Sequence, residues 1–247
     1  ERIEVIKGAS SVQHGFGATT GAVNYVTKKA DGREETEVAV SMGSSDTQSV
    51  GIGKGGRLDE DTAYRIDGHF VSGNQGSYGF VDDTSYEDYH LSGEIIHNFS
   101  DDFSAALSFD SFKDQGEGYF GTPVVNGKID ESVDDNNYNI GNDRISKKVF
   151  WASLKLQWQI DEQLTLRNET YANNEDRLWQ NAEGYSYNSV THLVDRGDFL
   201  HITHDQRIYG NRTDLILKHA IGGMQNRLLV GFDYSYNRHQ RDNNSPY

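Results

Sequence analysis

Two polar stretches of the chain hold the residue types that bind a large, flat ligand. In Gln115 to Lys148, Tyr119 and Phe120 stand between Gly118 and Gly121, followed by the acidic tract Asp130, Glu131, Asp134 and Asp135 and then by Arg144, Lys147 and Lys148. The second stretch carries Trp179, Tyr185, Tyr187 and Arg196. Aromatic faces stack on planar groups and guanidinium groups pair with anions, so Tyr119, Phe120, Arg144, Trp179 and Tyr185 are candidate contacts for a bulky ligand with aromatic or anionic surfaces. The plain alternative is that these side chains pack the loops on one another.

The remaining chemistry-bearing residues do not combine into a catalytic or metal site. Asp134-Asp135-Asn136-Asn137 lacks the glycine and distal glutamate of a calcium loop. His201 and His204 are three apart, so on a strand they face opposite ways, and His192 adds no convincing third ligand. No glycine elbow presents a serine, and Asp82-Asp83 is better explained by loop solvation than by glycosidase chemistry. Gly15-Phe16-Gly17 begins like a dinucleotide fingerprint, but Thr20 stands where the third glycine belongs and a Val-rich strand follows. The expectation is a binding protein with no cofactor and no resident metal, not an enzyme.

Composition narrows the class. Among 247 residues only 35% are hydrophobic, mean hydropathy is -0.74, and the formal charge is -15. That charge disfavours nucleic acid, whose phosphates call for a basic surface. Disorder is disfavoured by an aromatic content of 11% and by regular strand-like segments. No run of about 18 apolar residues exists, which excludes a spanning helix but leaves a barrel, whose strands need about 9 to 11 alternating residues. The chain has no cysteine, so disulfides and thiolate sites are excluded and the compartment stays open.

The elements that must carry these residues are strands. Val38, Val40 and Met42 alternate with Glu37, Ala39 and Ser41; Tyr64, Ile66 and Phe70 with Arg65, Asp67 and His69; Leu154, Leu156 and Trp158 with Ser153, Lys155 and Gln157. About nine such segments follow one another, wet on one face and apolar on the other. Short turns are expected at roughly 43 to 47, 59 to 61, 100 to 102, 161 to 162 and 222 to 225, and long loops at roughly 74 to 85, 115 to 147 and 175 to 203. Sorted connections and aromatics at the ends of the apolar face, such as Phe99, Trp158 and Tyr234, favour a membrane barrel. A soluble β-sandwich is the alternative, because period two alone does not separate core from lipid.

The N-terminal segment makes the pattern specific. Glu1-Arg2-Ile3-Glu4-Val5-Ile6-Lys7-Gly8, a Gly-rich bend, and Gly21-Ala22-Val23-Asn24-Tyr25-Val26-Thr27-Lys28 read as strand, loop, strand. This wording resembles the last third of the plug domain of TonB-dependent outer-membrane receptors of the siderophore type. Ala9 departs from the usual proline, His14 from an aromatic, and Thr20 from the first of two glycines. The resemblance implies an all-β fold: residues 1–30 as the C-terminal part of the plug, and 31–247 as the first nine or so strands of a 22-stranded barrel. These strands would form an open curved sheet with the plug strands on the polar, concave side. Since the sequence opens inside a strand with no signal peptide, it reads as a fragment. The resemblance also implies a ferric siderophore as cargo, the TonB-ExbB-ExbD complex as driver, outer-membrane lipid around the barrel, and no nucleic acid. Gln13, His14 and Phe16 become ligand candidates at the plug apex, and Arg2, Glu4 and Lys7 candidates for ionic contacts between plug and barrel. Hydrated charges remain the alternative for these three, and a solvated or loop-bonded histidine for His14. Cobalamin, haem or a glycan are alternative cargoes. A secreted carbohydrate-binding β protein is the alternative of another class.

Overall fold

The computed structural model describes residues 2–8, 20–74, 84–118, 121–129 and 136–245. The described residues form two antiparallel sheets. In the smaller, β1 (Arg2–Lys7) pairs with β2 (Gly21–Val26), placing Val5 opposite Val23. Gly8, at a φ of 96° that glycine adopts without a steric penalty, turns the chain out of β1, and its N–H donates to Thr20 O at 2.9 Å.

The larger sheet is a meander of nine strands. These are β3 (Glu35–Met42), β4 (Gln48–Arg57), β5 (Thr62–Gly73), β6 (Tyr86–Asn98), β7 (Phe103–Gly116), β8 (Arg144–Gln159), β9 (Leu164–Asn188), β10 (Leu193–Ile221) and β11 (Met224–Asn243). Each pairs with its sequence neighbours, and β3 and β11 are the two edges, so the sheet is open as expected. The tightest link joins β10 to β11, where Ile221 pairs with Met224 across Gly222 and Gly223, at φ 58° and 82°. A two-residue hairpin of this twist needs positive φ at both central positions, which the glycine pair supplies.

Alternate connections of a meander fall on opposite rims, and this changes two expectations. The turn at 43–47 is short, yet it lies on the rim of the long loops: Asn74 N donates to Ser45 O at 2.8 Å. The stretch 175–203 is not a loop. β9 runs for 25 residues and β10 for 29, and their ladder continues until Asn188 meets Leu193. Its polar composition hides this, because a hairpin beyond the apolar band is held by backbone hydrogen bonds and has no greasy face to betray a period of two.

One face of the sheet is apolar and uncovered. Val38 is 70% exposed, Leu107 55%, Val230 59% and Phe232 69%. Among the described residues the buried apolar side chains are only Ala30, Ala63, Ala182 and Ile216. A sandwich would bury that face against a second layer, and the described residues contain none. The sandwich alternative therefore fails, and a continuous apolar band of this kind matches contact with acyl chains. The β1–β2 hairpin lies toward the other, polar face. Arg2, Ile3 and Tyr25 share a cavity of about 520 Å³ with Glu37, Gly53, Asp67, His69 and His90.

Candidate binding face and junction

The polar face is built first around one arginine. Gly51, Gly53 and Gly55 take the inner positions of β4, and Arg65 from β5 lies across them. A Cβ on Gly53 would sit 2.7 Å from Arg65 Nη2, and one on Gly55 3.2 Å from Arg65 Cδ, so the glycines clear the groove this side chain fills. Only 4% of the Arg65 side chain is exposed. Its Nη1 donates to Glu35 Oε2 at 2.7 Å, Nη2 to Glu37 Oε2 at 2.9 Å, and Nε to Asp67 Oδ2 at 2.8 Å. Three carboxylates thus share one guanidinium, the residue best shaped for such a fork.

The segment joining hairpin to sheet docks on the same wall. Lys28 pairs with Glu37; Lys29 Nζ reaches Glu94 Oε2 at 3.1 Å; the backbone N–H of Ala30, itself buried, donates to Glu94 Oε1 at 3.1 Å. Arg2 Nε bonds Glu4 Oε1 at 2.7 Å, and Asn24 Nδ2 donates to Glu4 Oε2 at 2.9 Å, both within the hairpin. Lys7 is exposed at the end of β1. Sequence reasoning named Arg2, Glu4 and Lys7 but passed over Lys28 and Lys29. The available signal was two lysines just after β2 and glutamates at polar-face positions of β3 and β6.

At the opposite rim the structure gathers some candidates and separates others. Trp179 and Tyr185 occupy alternate positions on one face of β9. Trp179 Nε1 donates to Asn181 Oδ1 at 2.9 Å and Glu183 Oε1 at 3.0 Å, and the Tyr185 hydroxyl donates to Ala182 O at 2.9 Å. Ile145 stands opposite Trp179, whereas Arg144 stands opposite Gln180. Arg144 therefore points to the other face, where its Nη2 approaches Gln115 Oε1 at 3.5 Å. There it lines a groove of about 490 Å³ with Asp46, Asn74, Glu87 and Gln115. Gln13, His14, Phe16, Tyr119 and Phe120 lie outside the described residues.

A buried polar node pins the long β7–β8 connection onto β9. Asn181, with no exposed surface, donates to Gly118 O at 3.0 Å, and Asn139 Nδ2 donates to the same oxygen at 2.8 Å. Asp143 Oδ2 accepts from Gly118 N at 2.8 Å and from Asn139 Nδ2 at 2.9 Å. Arg196 closes the node by donating to Asn139 O at 2.8 Å. Burial pushes the Asp143 carboxyl above its ordinary value, while the bond from Gly118 pulls the other way. Sequence reasoning named Arg196 but none of these amides, whose partners lie up to 63 positions apart.

A second cluster also escaped notice. Arg177, Trp179, Ile202, His204 and Arg241 line a cavity of about 120 Å³ across β9, β10 and β11. Among the described residues no group of three or more His, Asp or Glu side chains is placed to hold a metal ion.

No family model matches the chain. The ferric-pyoverdine M114 receptor PbuA of Pseudomonas sp. (strain M114) is 25% identical over 247 residues, a match covering 95% of the chain and 29% of that receptor. The ferripyoverdine receptor of the outer membrane of Pseudomonas aeruginosa has the same fold, with a TM-score of 0.84 at 15% identity over 98% of the chain and 33% of that protein. The closed form of the ferric-catecholate import receptor Fiu from E. coli K12 gives a TM-score of 0.81 at 16% identity, over 97% of the chain and 36% of that protein. The chain thus spans about a third of the length of these relatives.

Proposed function

We propose that this chain, which belongs to the TonB-dependent outer-membrane receptors of siderophore type, is the plug junction and first barrel segment of an importer that carries a ferric siderophore into the periplasm. Residues 1–30 complete the plug and 31–247 begin the barrel. The observation that carries this reading is the division of the nine-stranded sheet into an uncovered apolar face and a polar face toward which the N-terminal hairpin lies. An apolar outer band with a polar, occupied interior is what a plugged barrel requires. With two open edges the nine strands alone do not make a sealed wall, since unpaired backbone groups are costly in hydrocarbon. The working unit is the longer protein.

In that unit the cargo binds on the loop side, where Trp179 and Tyr185 share a face, and Gln13, His14, Phe16, Tyr119 and Phe120 complete the aromatic vestibule. Transport involves no covalent chemistry. The TonB-ExbB-ExbD complex supplies the work that shifts the plug, and the Arg2, Glu4 and Lys7 charges help to seat it. The test is a titration of the purified full-length receptor with ferric siderophores of catecholate and hydroxamate type, alongside cobalamin and haem, read by tryptophan fluorescence. Saturable binding of at least one ferric chelate, with iron-limited growth that depends on the intact gene and on TonB, supports the reading. Binding of cobalamin or haem alone replaces the cargo.

A further inference from the structure

The chain carries 38 acidic residues against 23 Lys and Arg, so carboxylates are in surplus to neutralise its cations. Arg65 has three such partners, and Arg207 bonds Asp176 and Asp205. Arg177 and Arg241 have none among the described residues, and they stand on one patch of the polar face. The register places them there: Arg177 lies opposite His204, and His204 opposite Arg241, so β9, β10 and β11 each give one side chain to the same inner row. His239 packs edge-on against His204 with ring centroids 5.2 Å apart. The Arg177 guanidinium lies 5.0 Å from the Trp179 ring, which fixes its plane without neutralising it. His204 Nε2 is shielded and makes no hydrogen bond among the described residues.

We propose that the pocket between Arg177, Trp179, His204 and Arg241 is a subsite for a single anionic group, a carboxylate or a phosphate. Its volume of about 120 Å³ suits a small oxyanion. That is several times the roughly 30 Å³ share of one water and well under the 300 Å³ or more of a drug-sized site. The two guanidinium groups supply charge-assisted donors from opposite sides, and Trp179 and Ile202 form the apolar wall. Glu175 on β9 is an opposing charge that acts on His204, and it is engaged by Lys147 at 3.4 Å. The subsite therefore reads an acidic arm of a larger ligand.

This inference rests on the polar face being the lumen wall, and its probes are independent of the cargo. The full-length receptor in detergent is titrated calorimetrically with inorganic phosphate and with citrate at constant ionic strength. The same titrations are run on Arg177→Gln, Arg241→Gln, and an outer-face control, Lys113→Gln, with circular dichroism checking that each folds. Each arginine substitution should weaken both anions roughly tenfold or more, and the control should leave them unchanged. Equal affinity in the arginine variants, or no binding to the unaltered receptor, overturns the subsite. So does a carboxylate from a later strand seated between the two guanidinium groups. Failure of every ferric chelate to bind while citrate still binds removes the cargo reading and leaves the subsite standing.

Discussion

The two ends of the polar face use the same side chains to opposite effect. At the junction, Arg65 is nearly sealed off and its charge is divided among Glu35, Glu37 and Asp67, while Lys28 and Lys29 tie the incoming segment to Glu37 and Glu94. At the loop end, Arg177 and Arg241 share a hollow with Trp179 and lack carboxylates among the described residues. A guanidinium whose donors are saturated holds structure together, and one left open can take a ligand. The difference separates a latch from a receptor surface in a wall made of one repeating meander.

The sharpest way to break that contrast is to remove the latch. Arg65→Met keeps the length of the side chain but leaves three carboxylates facing one another across β3, β4 and β5. The full-length receptor should lose about 3 kcal/mol, the low end for a broken buried pair because the carboxylates are 29% to 49% exposed and can rehydrate. Urea unfolding in detergent reads this directly. An unchanged midpoint would mean that the network is decoration. Arg177→Gln should by contrast leave stability within about 0.5 kcal/mol, since it breaks no ion pair.

Next in size is the buried amide node. Asn181→Ala withdraws the donor to Gly118 O and an acceptor of Trp179 Nε1 at a fully buried position. The expected cost is about 1 to 3 kcal/mol, confined to the β7–β8 connection and the top of β9. Amide hydrogen exchange should accelerate around Gly118 and Asn139 and stay unchanged at Arg65. Exchange that accelerates equally in both places would show one cooperative unit and erase the distinction between the two ends.

A smaller effect belongs to the linker. Glu94→Gln keeps an acceptor for Ala30 N but removes the charge opposite Lys29, whose side chain is 48% exposed. The loss should be about 0.5 to 1 kcal/mol at low salt and fade as salt is raised, as for a partly exposed pair. Insensitivity to salt would place the contribution of Glu94 in its backbone contact and not in its charge.

These sites differ in how far the sequence discloses them. The open edges are implied by the resemblance to a larger barrel, whereas strands β3 to β8 and the division into two faces follow from alternation such as Val38 and Val40 against Glu37 and Ala39, because burial in lipid imposes that period on the sequence itself. The upper halves of β9 and β10 do not, since beyond the apolar band nothing but backbone pairing makes a strand. The basic pocket is hidden for a related reason. His204 was weighed only against His201 and His192, its neighbours in sequence, whereas the partners that matter, Arg177, His239 and Arg241, reach it through the register of three strands. Trp179 and Tyr185 could be named singly from their types, but that Arg144 points away from them depends on a parity that only the pairing of Ile145 with Trp179 fixes.

The smallest expected effect is also the most diagnostic of how the loop end is held. The Asp143 carboxyl is raised above its ordinary value of 3.8 chiefly by burial, so the folded node prefers the protonated form. Its contribution is then most favourable below that ordinary value, declines as pH rises through the interval up to the raised value, and is flat beyond it. Partial exposure keeps the change small. Exchange protection at Gly118, corrected for the intrinsic pH dependence of exchange, should follow this curve. Asp143→Asn retains an oxygen to accept from Gly118 N and Asn139 Nδ2 but does not titrate, so its protection should match the low-pH level throughout. A variant that keeps the slope would assign it to another group and leave Asp143 as a simple hydrogen-bond acceptor.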